Sequence, residues 1–118
     1  MSYDMAVWNP DCVINNATPE KIYKEILRNK ISSLKPSKNI DLFFEELLEP
    51  YPEVQVHGLY STHLLFATGK KDEIIVSKYL AIKNNLVLYD PQIDKVFSDH
   101  SDELTKTALS ILSKLKES

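Results

Sequence analysis

Leu86-Val87-Leu88-Tyr89-Asp90-Pro91-Gln92 is the stretch that decides the fold. Four successive apolar residues with no polar alternation describe a strand buried on both faces. Asp90-Pro91-Gln92 then turns the chain, the aspartate by bonding its own backbone and the proline by its fixed φ. Upstream, Ile74, Ile75, Val76, Tyr79, Leu80 and Ile82 fit a helix facing the sheet. The β-branched residues 74–76 also fit a strand hairpinned to residues 64–66 through Gly69-Lys70-Lys71-Asp72. The helix is favoured, because Asp72 and Glu73 suit a helix N-terminus and Asn84-Asn85 suits its C-cap. Downstream, Val96-Phe97 adds a short edge segment. Ser101-Asp102-Glu103 opens a last helix with Leu104, Ala108, Leu109, Ile111, Leu112 and Leu115 on its apolar face.

Toward the N-terminus, residues 2–8 read as a strand placed centrally in the sheet, with Tyr3, Met5 and Val7 on one face, ended by Asn9-Pro10. Residues 9–17 form a loop. Thr18-Pro19-Glu20 starts a helix: Thr18 caps, Pro19 fits the first turn, and Glu20 meets the positive dipole end. Ile22, Tyr23, Ile26 and Leu27 mark its apolar face against Lys21, Lys24 and Arg28. Residues 29–38 are a polar connection closed by Pro36. Ile40, Phe43, Phe44, Leu47 and Leu48 follow the i, i+3, i+4, i+7, i+8 spacing of a buried helical stripe, capped by Asn39 and ended by Pro50 and Pro52. Residues 53–57 alternate as a short strand ending at Gly58, and residues 62–67 form a second strand. The order is β-α-α-β-β-α-β-(β)-α. It predicts an α/β (α+β) two-layer sandwich, helices packed on a mainly antiparallel sheet, in one domain over residues 1–118.

Composition narrows the function classes. A length of 118 residues suits one domain, 43% apolar and 26% charged residues suit a globular core, and a formal charge of −3 leaves no cationic field for nucleic acid. A single cysteine, Cys12, excludes a disulfide framework and a cysteine-based zinc site. Two glycines leave no room for the Gly-rich phosphate motifs or a GxSxG elbow. No leader is evident in residues 1–8 and no run is long enough to span a membrane, so a cytoplasmic protein with no membrane partner is expected.

The net charge hides a segregation. Residues 20–38 carry six bases and two acids, whereas residues 39–69 carry five acids and neither lysine nor arginine. Asp41, Glu45 and Glu49 recur at i, i+4, where like charges destabilise a helix. Glu46 and Glu53 complete the acidic set, and Tyr51, Tyr60 and His57 lie in the same region. One reading is a solvated helix face offset by the neighbouring basic helix. The other is a surface for a basic partner, in which charge speeds association and aromatic residues anchor it.

The remaining chemistry is sparse. His57 and His63 flank a loop between two strands and can approach each other, but with His100 they form no HxH or HExxH spacing, so no metal is expected. Cys12 lacks a local base to lower its pKa, although His63 or His100 can supply one in three dimensions. Asp4 and Asp90 fall in neighbouring strands and form the one candidate acid/base pair of carboxylates; the simpler reading is turn and loop hydrogen bonding. Lys21, Lys24 and Arg28 lack interleaved aromatic platforms, so direct nucleic-acid binding is not expected. No cofactor motif is present.

Ser2-Tyr3-Asp4 followed by Val7-Trp8, together with Asn85-Leu86-Val87-Leu88-Tyr89-Asp90-Pro91-Gln92, resembles a family of small bacterial proteins. In that family an SYD-x-x-VW strand and a GL-V-x-YDPQ strand-turn bracket a compact α/β domain, with a helix just before the YDPQ strand. Its members look like immunity proteins of contact-dependent growth-inhibition and polymorphic-toxin systems. Here Asn85 replaces the usual glycine, and the helix over residues 101–116 extends past that of shorter members. The resemblance implies a non-enzymatic immunity protein, an antitoxin that neutralises a cognate toxin domain by stoichiometric binding, that toxin being a basic nuclease. Asp41, Glu45, Glu46, Glu49, Tyr51, Glu53 and Tyr60 are the expected toxin-binding residues. A homo-oligomeric (homo-dimer) regulatory domain joined through an apolar helix face, and a small hydrolase, are the alternatives.

Overall fold

Alternation along one strand sorts the interior into two halves. In the computed structural model, which describes residues 3–99 and 101–117, β1 (Tyr3–Trp8) is the middle strand of a five-stranded sheet. The others are β2 (Gln55–Leu59), β3 (His63–Thr68), β4 (Val87–Asp90) and β5 (Lys95–Phe97), in the order β2-β3-β1-β4-β5, every neighbouring pair antiparallel. Met5 and Val7 lie with Leu64, Phe66 and Leu88 in one core; Ala6 and Trp8 lie with Val87 and Tyr89 in the other. All four β4 residues are buried, as the apolar run from Leu86 predicts.

Four helices complete the α+β fold: α1 (Pro19–Arg28), α2 (Asn39–Leu48), α3 (Lys71–Lys83) and α4 (Asp102–Glu117). α2 and α3 form the main helical layer. They supply Ile40, Phe43, Leu47, Val76, Leu80 and Ala81 to the first core, with Ile111 and Leu112 of α4 packed against it. Phe43 meets Phe66 of β3 with ring centroids 6.0 Å apart, an edge-to-face spacing that seats α2 over that strand. α1 covers part of the opposite sheet face through Ile22 and Ile26, joined there by Leu34.

Local rules account for most boundaries. The Thr18 hydroxyl accepts from the Lys21 amide at 3.2 Å, and α1 ends on Asn29 in the left-handed conformation. Residues 71–83 are helical, so the β-branched run at 74–76 follows tertiary packing and not its strand propensity. Asn85 has φ 60°, the region glycine tolerates best, so asparagine at that position is conformationally conservative. The Ser101 hydroxyl accepts from the Leu104 amide at 3.0 Å and starts α4.

Three expectations change in detail. Asn39 does not cap α2: Lys38 precedes the helix without a side-chain cap, and Asn39 Nδ2 instead donates to the Asn84 carbonyl at 2.8 Å, tying α2 to the end of α3. β2 begins two residues later than expected and runs through Gly58, with a register break between Val56 and Gly58. The polar connection at residues 29–38 buries Ser33 and Leu34 and makes a bridge between Val13 and Leu34. Among the described residues no helix is long and apolar enough to cross a membrane.

Candidate functional site

The core-facing residues of α2 fix what its other side presents. With Ile40, Phe43 and Leu47 buried, 3.6-residue periodicity turns Asp41, Glu45 and Glu49 outward, and all three are exposed, together with Leu42. Among the described residues none of the three acids makes an ion pair. Nor does α1 offset them: Ile22 and Ile26 anchor that helix on the opposite face of the sheet, so the cations of Lys21, Lys24 and Arg28 stand across the protein from the acidic stripe.

The other expected site residues are placed differently. Glu46 turns toward α3, accepting from Lys83 Nζ at 2.6 Å and Asn84 Nδ2 at 3.0 Å. Burial works to raise its pKa, but those two donors outweigh it and hold the carboxyl below the ordinary range. Glu53 is exposed and pairs with Lys70 at 3.5 Å. Tyr60 is 46% exposed and stacks on His63 at 4.7 Å between ring centroids. Gly58 lies under that ring, where an added Cβ would come within 2.5 Å of it. Tyr51 is a correction to the expected surface: it is only 6% exposed and belongs to the core beneath the acidic helix.

Glu73 is the group that sequence reading missed. It reads as an ordinary acid for the first turn of α3, yet it is only 3% exposed. The Thr68 hydroxyl donates to its Oε2, while its Oε1 and the Tyr51 hydroxyl are buried without a hydrogen-bond partner. Burial raises the Glu73 pKa; the Thr68 bond opposes this and the nearby Glu53 adds to it. Glu53 is shifted the other way, first by its own backbone amide and then by Glu73. No local pattern in sequence signals this pairing, since it depends on the hairpin from β3 into α3.

The sparse chemistry does not converge. His57 Nε2 lies 3.5 Å from Asp4, whereas His63 is buried with Nδ1 2.8 Å from the Thr62 hydroxyl, so the two histidines serve separate contacts. Burial lowers the His63 pKa to about 4, keeping the ring neutral. His100 lies outside the described residues. Asp4 and Asp90 fall on opposite sheet faces: Asp90 continues the Leu88 side, and Asp4 the Ala6 side. Asp90 is buried and accepts from the Gln92 amide at 3.0 Å as a turn residue, so the two carboxylates form no acid/base pair. Cys12 Sγ is directed at the Pro36 carbonyl at 3.6 Å. Among the described residues no group of three or more His, Cys, Asp or Glu side chains is arranged to hold a metal.

What remains as a candidate site is therefore a surface, the acidic stripe of α2 with Leu42; Tyr60, stacked on His63, lies on the α1 face of the sheet instead. Its chemistry is that of three exposed carboxylates that make no ion pair among the described residues. No protein-family model, curated protein or solved structure matches the chain.

Proposed function

We propose that this chain is an immunity protein that binds a basic toxin domain, of nuclease type, one to one and blocks it. The observation that carries the reading is that Asp41, Glu45 and Glu49 stay unpaired among the described residues while the cations of α1 lie beyond the sheet. Three like charges at i, i+4 spacing cost helix stability, and a partner supplying cations relieves that cost. An acidic helix can stand in for the phosphates that a nuclease cleft binds, and complementary charge speeds encounter and rejects wrong partners. The paired strand-turn motifs at residues 2–8 and 85–92 support the same reading.

The test is binding kinetics with the candidate toxin domain. Replacing Asp41→Lys together with Glu45→Lys should slow association by about tenfold or more at low salt and flatten its salt dependence. Unchanged association and an unchanged salt slope would remove the acidic stripe from the interface.

A second reading is favoured by α4, where Leu109 is 49% and Leu115 38% exposed beside a groove of about 600 Å³ shared with α2 and α3. A homo-oligomer joined there would show at once as a doubled mass in light scattering.

A further inference from the structure

We infer that the open edge of β2 receives an extended strand from the basic partner, pairing backbone to backbone beside the acidic stripe of α2. The inference rests on the proposed binding function and adds the mode of binding. The sheet has two edges, and they are finished differently. β5 is three residues long, and the ammonium groups of Lys78 and Lys95 sit 3.8 and 5.1 Å from the Phe97 ring centroid. Short length and lysine are the usual devices that keep a sheet edge from pairing with another chain. β2 has five residues and no lysine or arginine, and it exposes Val56 and Leu59 at 38% and 39%.

The register says what that edge offers. Val56 stands opposite Phe66 and Leu59 opposite Leu64, so both project on the α2 face of the sheet. The Tyr60 amide donates to the His63 carbonyl at 2.9 Å. By the alternation of an antiparallel ladder, the neighbouring Leu59 directs its own N–H and C=O away from β3, toward solvent. The irregularity between Val56 and Gly58, a feature that blunts a sheet edge, confines regular pairing to the stretch from Gly58 onward, where Leu59 faces outward. A strand added there would bury Val56 and Leu59 on the sheet face that α2 covers.

Charge selects the occupant. Residues 39–69, which include α2 and both strands of the edge hairpin, hold five acids and no lysine or arginine. Two copies of this chain joined edge to edge would bring two such segments together, and like charge opposes that assembly. An extended segment rich in lysine or arginine meets the same edge with attraction, and strand addition then gives affinity through the main chain.

The test uses the isotope-labelled full chain and a capped Lys-Val-Lys-Val-Lys-Val-Lys heptapeptide. The expected result is amide shifts and slowed hydrogen exchange at residues 55–60. The same peptide N-methylated at alternate residues, and a Glu-Val counterpart, should bind at least about tenfold more weakly. Leu59→Pro removes the outward N–H together with the exposed leucine side chain and should lower affinity about tenfold; Val56→Lys, an edge charge with no backbone demand, should act in the same direction. Shifts confined to α2, abolished by Asp41→Lys with Glu45→Lys and untouched by Leu59→Pro, would overturn strand addition while leaving the acidic-face reading standing. Absence of binding, or self-association through β2, would overturn it as well.

Discussion

The two faces of the sheet each bury one titratable group, and burial moves the two pKa values in opposite directions. On the α1 side, His63 is opposite Trp8 in the β1–β3 register and is kept unprotonated by burial. On the α2 and α3 side, burial is the chief cause that raises the Glu73 pKa, again opposing the charged form. The difference teaches how one physical cause acts on opposite chemistries: burial disfavours the charged form of both groups, lowering a base and raising an acid. The carboxylates of Asp41, Glu45 and Glu49, by contrast, stay exposed and make no ion pair among the described residues.

The largest test of that comparison is mechanical. Phe43→Ala removes the ring that seats α2 on Phe66 and should cost about 3–5 kcal/mol, against roughly 2–3 kcal/mol for Ile22→Ala on the thinner α1 side. Urea unfolding of both variants measures the gap, and equal losses would mean the two cores are equally consolidated.

Acid comes next. His63 has an ordinary pKa of 6.5 and a folded one of about 4, so between those values the unfolded chain binds a proton that the native protein refuses. Its contribution is complete above the ordinary value and falls as pH drops toward the folded one, by roughly 3 kcal/mol in all. Unfolding midpoints through that window should show the fall, and His63→Gln should flatten it. Glu73 works in the opposite direction: its raised pKa favours the native state at low pH, and that support is lost as pH rises through the folded value. Glu73→Gln keeps an acceptor for Thr68 without a titrating proton and should stabilise the protein at neutral pH by about 1 kcal/mol, read as a rise in Tm of a few degrees.

The smallest effect is the sharpest for function. Glu45→Lys converts two repulsive i, i+4 pairs on α2 into attractive ones and should stabilise the chain by about 0.5 kcal/mol. The same change should weaken partner binding. Opposite signs in melting and binding experiments would mark Glu45 as a residue held for recognition.

The fold was legible wherever a residue's neighbours in sequence are also its neighbours in space. The stripe Ile40, Phe43 and Leu47, the cap at Thr18 and the unbroken run at residues 86–89 all announce their structure. The phase of β2 was not legible, because the irregularity after Val56 breaks the alternation that would reveal it. Tyr51 and Glu73 were misjudged for a related reason. One looks like an interface aromatic and the other like a surface acid, and only the approach of α2's end to the β3–α3 hairpin buries both. In the site, the stripe of acids was visible from spacing, while the assignment of Glu46 to Lys83 and of Glu53 to Lys70 required contacts 37 and 17 residues apart in sequence.

Placing α1 and α2 on opposite faces of one sheet also separates the α2 acids from the α1 cations by the thickness of the protein. Layers packed about 10 Å apart put the two sets on the order of 20 Å from each other, more than one screening length at physiological salt. At physiological salt the field of an approaching protein is felt within roughly one screening length, about 8 Å. A charged surface approaching α2 therefore meets the acids of that helix before it senses the cations of α1.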